Sequence, residues 1–404
     1  MKVALFSKEY PPNVYGGAGV HVEYLSRALA KRMEVEVRAF GSDPPVAGNP
    51  SVRFYPEWPE AKRDTDPRFA GAVDALERSL RMAKDQLEAD LVHCHTWYTD
   101  MGGILAAQLW GVPSVLTIHS LEPLRPWKVE QLGRAYHLSA WMERTAIEQA
   151  SGIIAVSNET REDVLRLFDV APERVHVIHN GIDLEEYRPS PHADVLERHG
   201  IDKERPYALF VGRITRQKGI LHLLHAIPHL DPALQVVLCA GAPDTPEIGE
   251  EMTAGVRALQ QTRPGIIWIS DMLPRADVIQ LYTHAALFCC PSVYEPFGII
   301  NLEAMACQTP VVASAVGGIK EVVVPEQTGI LVDPQLRPGS FEPSDPEAFA
   351  RGLAEGMNRL AENAGLRARM AAAGRARVQD LFTWDAIAAK TEQLYREVIA
   401  GESQ

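Results

Sequence analysis

The chain has 404 residues, a hydrophobic content ordinary for a globular protein, and a formal net charge of −13. The length predicts two or three domains, each able to bury its own core. The acidic balance argues against nucleic acid as a partner, because a nucleic-acid backbone demands a basic protein face. No apolar run is long enough to span a membrane, so no membrane association is expected.

The cysteines show no metal-ligand spacing, and most of them lie in apolar runs. We therefore expect buried thiols in a reducing compartment. A strand, Lys2–Ser7, is predicted at the very start of the chain and leaves no room for a signal peptide. These features together predict a cytoplasmic protein.

A glycine cluster, Gly16-Gly17-Ala18-Gly19, follows the first predicted strand and precedes a helical pattern. Strand, glycine loop and helix is an arrangement that holds phosphate on backbone amides. The spacing is not G-x-G-x-x-G and there is no Walker lysine, which weakens the dinucleotide and P-loop interpretations. A tight turn without a ligand is the alternative.

Apolar runs alternate with helical stretches in both halves of the chain, which predicts two mostly parallel sheets covered on both faces. Polar residues follow the strand ends at His95-Thr96-Trp97, His119-Ser120 and Asn180-Gly181, where ligands of such sheets bind. The strands predicted after the first are Val35–Phe40, Val52–Tyr55, Leu91–His95, Val115–His119, Ile153–Ser157 and Val175–His179, then Tyr207–Gly212, Leu234–Ala240, Gly265–Ile269, Ala286–Cys290, Pro310–Ala313 and Ile330–Val332.

Two glutamates, Glu295 and Glu303, bracket a predicted strand-to-helix turn in the second half. A helix beginning there would direct the free amides of Gly298, Ile299 and Ile300 towards the mouth of the sheet, ready for an anion. This pattern suits a nucleotide-sugar, with the diphosphate on the amides, the ribose on one acid and the sugar on the other. The alternative is a helix start that prefers acids for its dipole.

Two cations, Arg213 and Lys218, flank the loop after the first strand of the second half. Beside the helix start at Gly298 they would form a clamp for a diphosphate. A solvated basic loop is the alternative interpretation.

With these motifs in place, the whole chain resembles the retaining glycosyltransferases of family 4, and more narrowly the actinobacterial-type glycogen synthases, or α-maltose-1-phosphate synthase group. The two-glutamate motif identifies only the broad family, whereas the segment His119–Lys128 is subgroup-specific. The segments that carry the resemblance are Glu9–Pro12, Tyr15–His21, His119–Lys128, Asn180–Asp183, Gly212-Arg213, Lys218-Gly219 and Glu295–Glu303.

The resemblance implies an α/β fold of the GT-B type, with two Rossmann-like parallel-sheet domains facing across a deep cleft. Residues 1–190 would form the acceptor-side domain and residues 191–383 the domain that binds the nucleotide-sugar. A C-terminal helix, 384–404, would cross back to pack on the first domain.

The resemblance also implies roles for the donor site. Glu303 would bind the donor ribose, Glu295 the transferred glucose, and His119 the sugar near its 6-hydroxyl. Arg213 and Lys218 would neutralise the diphosphate, so these two cations, Glu295 and His119 form the predicted catalytic set. Backbone amides would assist at Gly16, Gly17, Gly298, Ile299 and Ile300.

The implied reaction is transfer of glucose from ADP-glucose, or a similar nucleoside diphosphate glucose, to an α-glucan in glycogen synthesis. The alternative acceptor is glucose 1-phosphate, giving α-maltose 1-phosphate. No metal or other cofactor is expected, and a homo-oligomer stays open. The broader bacterial glycogen synthases carry Lys-Thr-Gly-Gly where this chain has Val14-Tyr15-Gly16-Gly17, which leaves Arg213 and Lys218 with more of the charge.

The candidate acceptor residues are His95, Trp97, Arg125, Trp127 and Lys128. The tryptophans could stack on sugar rings or belong to the core, and the two cations could bind a phosphorylated acceptor. Three other classes compete. A nucleotide-sugar epimerase would need further carboxylates, a non-catalytic glucan-binding protein would not need the clamp with Glu295, and a NAD-dependent oxidoreductase would need a glycine fingerprint that neither half contains.

Overall fold

The computed structural model describes residues 1–59, 65–66, 68–129 and 133–402. The chain forms two compact units, the first made of residues 1–181 with 384–404 and the second of residues 182–383. Each unit is built on one parallel sheet covered by helices, as the alternation of apolar strands and helical stretches predicts.

The sheet of the first unit has the order β3-β2-β1-β4-β5-β6-β7 among the described residues, and all of its pairings are parallel. Ser7 lies opposite His95, and His95 lies opposite Thr117, so the carboxyl ends of the three central strands meet at one edge. The strands are β1 (Lys2–Ser7), β2 (Glu34–Phe40), β3 (Ser51–Tyr55), β4 (Leu91–His95), β5 (Ser114–Ile118), β6 (Gly152–Ala155) and β7 (Val175–Val177).

Successive residues of β1 serve opposite faces of this sheet. Val3 and Leu5 pack in the cluster that holds α1 and the C-terminal helix, whereas Phe6 packs in the cluster on the other face. The α-helices that lie within the described residues of this unit are α1 (Gly17–Ala30), α2 (Ala70–Lys84), α3 (Trp97–Trp110), α4 (Ala135–Gln149), α5 (Asn158–Leu167) and the terminal α14 (Trp384–Glu402).

The second sheet has the order β10-β9-β8-β11-β12-β13 in the described part of the chain, again parallel throughout. Its strands are β8 (Tyr207–Arg213), β9 (Gln235–Gly241), β10 (Ile266–Ile269), β11 (Leu287–Cys290), β12 (Val311–Ser314) and β13 (Gly329–Val332). Its helices are α6 (Asp194–Arg198), α7 (Ile220–Ala226), α8 (Pro246–Thr262), α9 (Arg275–His284), α10 (Ile299–Ala306), α11 (Ile319–Val322), α12 (Pro346–Glu362) and α13 (Ala364–Leu381).

The first unit ends at Gly181, earlier than the boundary at residue 190 that the sequence suggested. The intervening residues are fixed to the second unit, because the amide of Ile182 donates to the carbonyl of Phe382 at 2.8 Å and the amide of Ser190 to Thr283 Oγ1 at 3.1 Å. The terminal helix α14 belongs to the first unit, where the Tyr395 hydroxyl lies 2.6 Å from Nδ1 of the buried His93.

All five cysteines are buried, as their apolar surroundings predicted. None of the described helices has both the length and the apolar character that crossing a bilayer requires.

Candidate active site

The helix α10 begins where the two-glutamate motif predicted, directly after Gly298. Gly298 has φ = 94°, and a Cβ there would stand 2.7 Å from Nδ2 of Asn301, so only glycine fits the turn. The main-chain amide of Asn301 donates to the Gly298 carbonyl at 2.9 Å. The amides of Gly298, Ile299 and Ile300 donate to no group in the described residues, which leaves them able to bind an anion.

Lys218 and Glu295 form an ion pair in the second unit, with Nζ 2.7 Å from Oε2. The same oxygen accepts a hydrogen bond from the Ser292 hydroxyl at 3.0 Å, and Glu295 is 7% exposed. Burial alone would lower the pKa of Lys218, but the neighbouring Glu295 and Cys290 outweigh it, so the pKa is raised. Lys218 therefore remains a cation at the site.

Glycines hold both ends of this ion pair in place. Gly219 has φ = 64°, and a Cβ would lie 1.9 Å from the carbonyl oxygen of Pro291, so the loop of Lys218 lies directly against the end of β11. Gly317, with φ = 51°, would place a Cβ 1.9 Å from the Glu295 carbonyl oxygen, which also accepts from the Gly318 amide at 3.0 Å. The sequence analysis had not indicated a role for Gly317 and Gly318.

Arg213 stands at the end of β8 and pairs with Asp244, with 2.6 Å between Nη1 and Oδ1. Asp244 follows β9, the strand beside β8, and sequence reasoning missed it. Arg213 lies close enough to Lys218 that its positive charge acts to lower the pKa of Lys218, against the larger effect of Glu295. The two predicted cations therefore lie in one region of the second unit, each paired with a carboxylate.

Glu303 accepts hydrogen bonds from two tyrosines that the sequence also did not indicate. The Tyr187 hydroxyl donates to Oε1 and the Tyr282 hydroxyl to Oε2, both at 3.1 Å. Burial raises the pKa of Glu303, and the two hydroxyl groups oppose that rise.

The glycine loop of the first unit requires a correction to the predicted donor site. The Gly16 amide, expected to bind phosphate, donates to Oε2 of Glu9 at 2.8 Å, and the Tyr15 amide donates to the same oxygen at 2.8 Å. Gly17 opens α1, and no atom lies within 4 Å of the position its Cβ would take. Gly17 thus keeps the open space that close approach of a ligand needs.

Three histidines come together at the carboxyl edge of the first sheet. His95 Nδ1 lies 3.1 Å from His119 Nε2, and His21 Nδ1 lies 2.7 Å from Oδ1 of Asn180. One ring nitrogen from each histidine lies within 4.8 Å of the other two, a spacing that could accept a metal ion. Burial lowers the pKa of all three, that of His21 to about 4, so the cluster is neutral near pH 7.

Two of the predicted acceptor residues are buried, and this corrects their assignment. His95 is 0% exposed and contacts His119 through its Nδ1. Trp97 is 5% exposed and stacks on Tyr98 within the core, with 3.9 Å between the ring centroids. Neither can contact an acceptor directly. The other three candidates, Arg125, Trp127 and Lys128, are partly exposed.

The subgroup-specific segment is fixed by buried carboxylates. Arg125 Nη1 lies 3.3 Å from both Ser120 Oγ and Glu122 Oε1. Glu122 is 1% exposed and accepts from the Ser139 hydroxyl at 3.0 Å, while its amide donates to Glu143 at 2.9 Å. Burial and the nearby Glu122 raise the pKa of Glu143. Arg125 is thus positioned by a buried carboxylate.

The geometry agrees with what comparison to known proteins shows. Residues 15–186 match the profile described as Glycosyltransferase Family 4, and residues 193–377 match Glycosyl transferases group 1. The α-maltose-1-phosphate synthase of Mycolicibacterium smegmatis is 47% identical over 99% of this chain and 100% of its own length. The chain belongs to the family 4 glycosyltransferases.

Two further similarities bear on this family 4 glycosyltransferase. The glycogen synthase of Mycobacterium tuberculosis is 30% identical over 100% of the chain and 96% of its own length. The solved structure of sucrose-phosphate synthase from Thermosynechococcus elongatus is 26% identical, covers 99% of both chains and superposes with a TM-score of 0.78. The predicted family, enzyme class and GT-B fold class are thereby confirmed.

Proposed function

We propose that this glycosyltransferase moves glucose from a nucleoside diphosphate glucose, ADP-glucose first, to glucose 1-phosphate, forming α-maltose 1-phosphate with retention. The observation that carries the proposal is the 47% identity, along the whole chain, to a protein named for that product. The sequence alone had placed an α-glucan first as acceptor, and the comparison reverses that order.

The donor side of the proposal rests on charge. Lys218, Arg213 and the helix amides at Gly298 present positive charge where a leaving diphosphate develops negative charge. Protein groups can supply this stabilisation, so we propose that turnover needs no metal. Undiminished activity after dialysis against a chelator is the expected result, and activity restored only by a divalent cation would contradict it.

Front-face transfer suits the environment of Glu295. Its Oε2 is hydrogen-bonded to Lys218 and Ser292, which makes it a weak candidate for the nucleophile that a covalent intermediate would need. The acceptor hydroxyl would attack the anomeric carbon on the face from which the diphosphate leaves. The bond from that carbon to the phosphate oxygen breaks, and this oxygen takes the hydroxyl proton. A trapped glycosyl adduct on Glu295 would contradict this mechanism.

The acceptor side rests on Arg125. Its side chain is partly exposed, while Nη1 is held by Ser120 and Glu122. A fixed guanidinium with spare donors suits a phosphate. Lys128, partly exposed on the same segment, could add a second charge.

The deciding experiment compares kcat/KM for glucose 1-phosphate and for an α-glucan at fixed ADP-glucose. We expect glucose 1-phosphate to be preferred, and Arg125→Gln to lower its kcat/KM by about 10-fold to 100-fold, the cost of a lost charged hydrogen bond. Arg144→Gln is the control, because Arg144 is half exposed and pairs with Glu148 on α4. Faster use of the α-glucan, with no selective effect of Arg125→Gln, would overturn the proposed acceptor.

Elongation of an α-glucan is the second candidate. The glycogen synthase of Mycobacterium tuberculosis, 30% identical over the whole chain, is the observation that favours it. The same comparison of acceptors separates the two candidates.

A further inference from the structure

We propose that Tyr187 and Tyr282 are positioning residues for the donor, because they orient the Glu303 carboxylate towards the two ribose hydroxyls. The inference rests on the proposed function, since it requires a ribose-containing donor. It adds two residues whose part in donor binding neither the motifs nor the comparisons assign.

The contacts form a symmetric clamp on one carboxylate. Tyr187 donates to Oε1 and Tyr282 to Oε2, each at 3.1 Å. The tyrosines are 4% and 0% exposed, whereas Glu303 itself is only half-buried. The hydroxyls therefore approach from the protein interior, while Glu303 keeps part of its surface exposed.

Counting acceptor sites shows what the clamp leaves free. An ionised carboxylate has two oxygens with about two acceptor positions each. One position on each oxygen is taken by a tyrosine, so one on each remains. Two adjacent acceptors match the two neighbouring hydroxyls of a ribose, and a carboxylate free to rotate would not present them in one orientation.

Both tyrosine hydroxyls keep the proton that they donate to Glu303. Burial raises the pKa of Tyr187 and of Tyr282, and the nearby Glu303 raises both further, so both phenols stay protonated. Their hydroxyl groups in turn oppose the rise that burial causes in the Glu303 pKa, as do Arg275 and Lys218 more weakly. The clamp thus favours the ionised carboxylate, which accepts hydrogen bonds on both oxygens.

Both tyrosines are themselves fixed. The Tyr187 amide donates to the Asp183 carbonyl at 2.8 Å. Tyr282 lies on α9, where its ring meets the edge of Phe288 at 5.4 Å and its carbonyl accepts from the Thr309 hydroxyl at 2.5 Å. A carboxylate held by fixed donors keeps its orientation before a ligand arrives, which reduces the ordering cost of binding.

The experiment measures binding by calorimetry for the wild type, Tyr187→Phe, Tyr282→Phe and the double variant, alone and combined with Glu303→Ala. Tyr207→Phe is the control, because that tyrosine is equally buried in the same unit but donates to the main-chain carbonyl of Leu281 at 2.6 Å. The probes are the tightest binder among ADP, GDP and UDP, its 2′-deoxy and 3′-deoxy forms, and inorganic pyrophosphate, which lacks a ribose.

Each Tyr→Phe change should weaken binding of the nucleoside diphosphate about 10-fold, the scale of one hydrogen bond to a charged group, while pyrophosphate binding stays unchanged. The loss should shrink with the deoxy forms and vanish in the Glu303→Ala background. Two outcomes would overturn this inference without affecting the proposed function. In the first, Tyr187→Phe and Tyr282→Phe lose no more affinity than Tyr207→Phe does. In the second, they lose as much affinity for pyrophosphate as for the nucleoside diphosphate. A wild type that binds none of the three nucleotides would overturn the proposed function and this inference with it.

Discussion

The cation sites of the second unit and the histidine cluster of the first unit hold their buried groups in opposite charge states. In the second unit the charges are kept and paired, as Lys218 with Glu295 and Arg213 with Asp244. In the first unit burial favours the neutral forms of the clustered histidines and of Asp100: the pKa of His119 falls well below its ordinary value, and that of Asp100 rises to about 7.

This difference matches two kinds of ligand. A diphosphate carries charge and gains more as it leaves, so it needs cations held in fixed positions. Sugar hydroxyls are neutral and are best bound by neutral donors and acceptors in fixed orientations. We therefore expect charge changes at Lys218 and Arg213 to affect turnover strongly, and changes in the histidine cluster of the first unit to act through shape and protonation.

Removing the Lys218 charge should have the largest effect. Lys218→Ala should lower kcat/KM by about 100-fold to 1,000-fold, because the leaving diphosphate loses one preorganised charge. Steady-state kinetics with ADP-glucose measures the loss, and a thermal unfolding curve checks that the variant folds.

The control for that change lies in the same loop. Arg216 pairs with Glu251, and both side chains are about half exposed. Arg216→Ala should leave kcat/KM nearly unchanged, because such exposed pairs contribute little. An equal loss in both variants would mean that the effect is general to the basic loop.

Gly17→Ala should separate binding from folding. No atom lies within 4 Å of the new methyl group, so the melting temperature should not fall. If the donor approaches this backbone, kcat/KM should drop by about 10-fold or more, since glycines in phosphate loops permit close approach. Gly71→Ala on α2 is the matched control, because its Cβ also meets empty space. Full activity in Gly17→Ala would exclude close approach there.

Asp244→Asn should act only through Arg213. The variant keeps a hydrogen-bonding side chain but loses the ion pair, so the guanidinium is held less firmly. We expect kcat to fall about 10-fold, within the range that misplaced catalytic groups cost. In an Arg213→Ala background the same change should have no further effect. Additive losses in the double variant would show that Asp244 acts independently.

The neutral histidines predict a pH-dependent stability. The folded-state pKa of His21 is about 4, below the ordinary 6.5, so the unfolded chain binds more protons between those values. Protonation of His21 in the unfolded chain therefore lowers the stability of the folded protein as pH falls from 6.5 to 4. Asp100, whose pKa is raised, works in the opposite direction as pH rises towards 7.

A variant isolates the contribution of His21. His21→Gln should reduce the slope of the unfolding free energy against pH by up to about 1.4 kcal/mol per pH unit, which corresponds to one bound proton. Denaturant titrations between pH 4 and 7 measure the slope, with His229→Gln as the exposed control. Parallel slopes for wild type and His21→Gln would show that His21 does not titrate as described.

Local patterns predicted the strands and the helix start well. The apolar run Leu91–His95 is β4 as predicted, and the bend at Gly298 opens α10 as the motif required. The strand and the helix start each depend on residues that are neighbours in sequence and on the periodicity of apolar positions, and a single sequence shows both. The pair of cations was predictable for the same reason, because both lie on one loop.

The groups that complete the site come from distant parts of the chain. Tyr187 lies 116 residues before Glu303, and Asp244 lies 31 residues after Arg213, so no local pattern joins them. His95 and Trp97 were assigned wrongly because both side chains are buried, His95 at the end of a central strand and Trp97 at the start of α3, and a linear pattern does not reveal this burial. Glu9 was close enough in sequence to be recognised as a competing anion for the Gly16 amide.

The most direct test of the whole account is proton and phosphorus NMR of the product formed from ADP-glucose and glucose 1-phosphate. We predict a disaccharide phosphate with a new α-1,4 linkage and the anomeric phosphate intact, appearing as ADP is released. A β-linked product, or ADP-glucose left unchanged while glucose 1-phosphate is present, would contradict it.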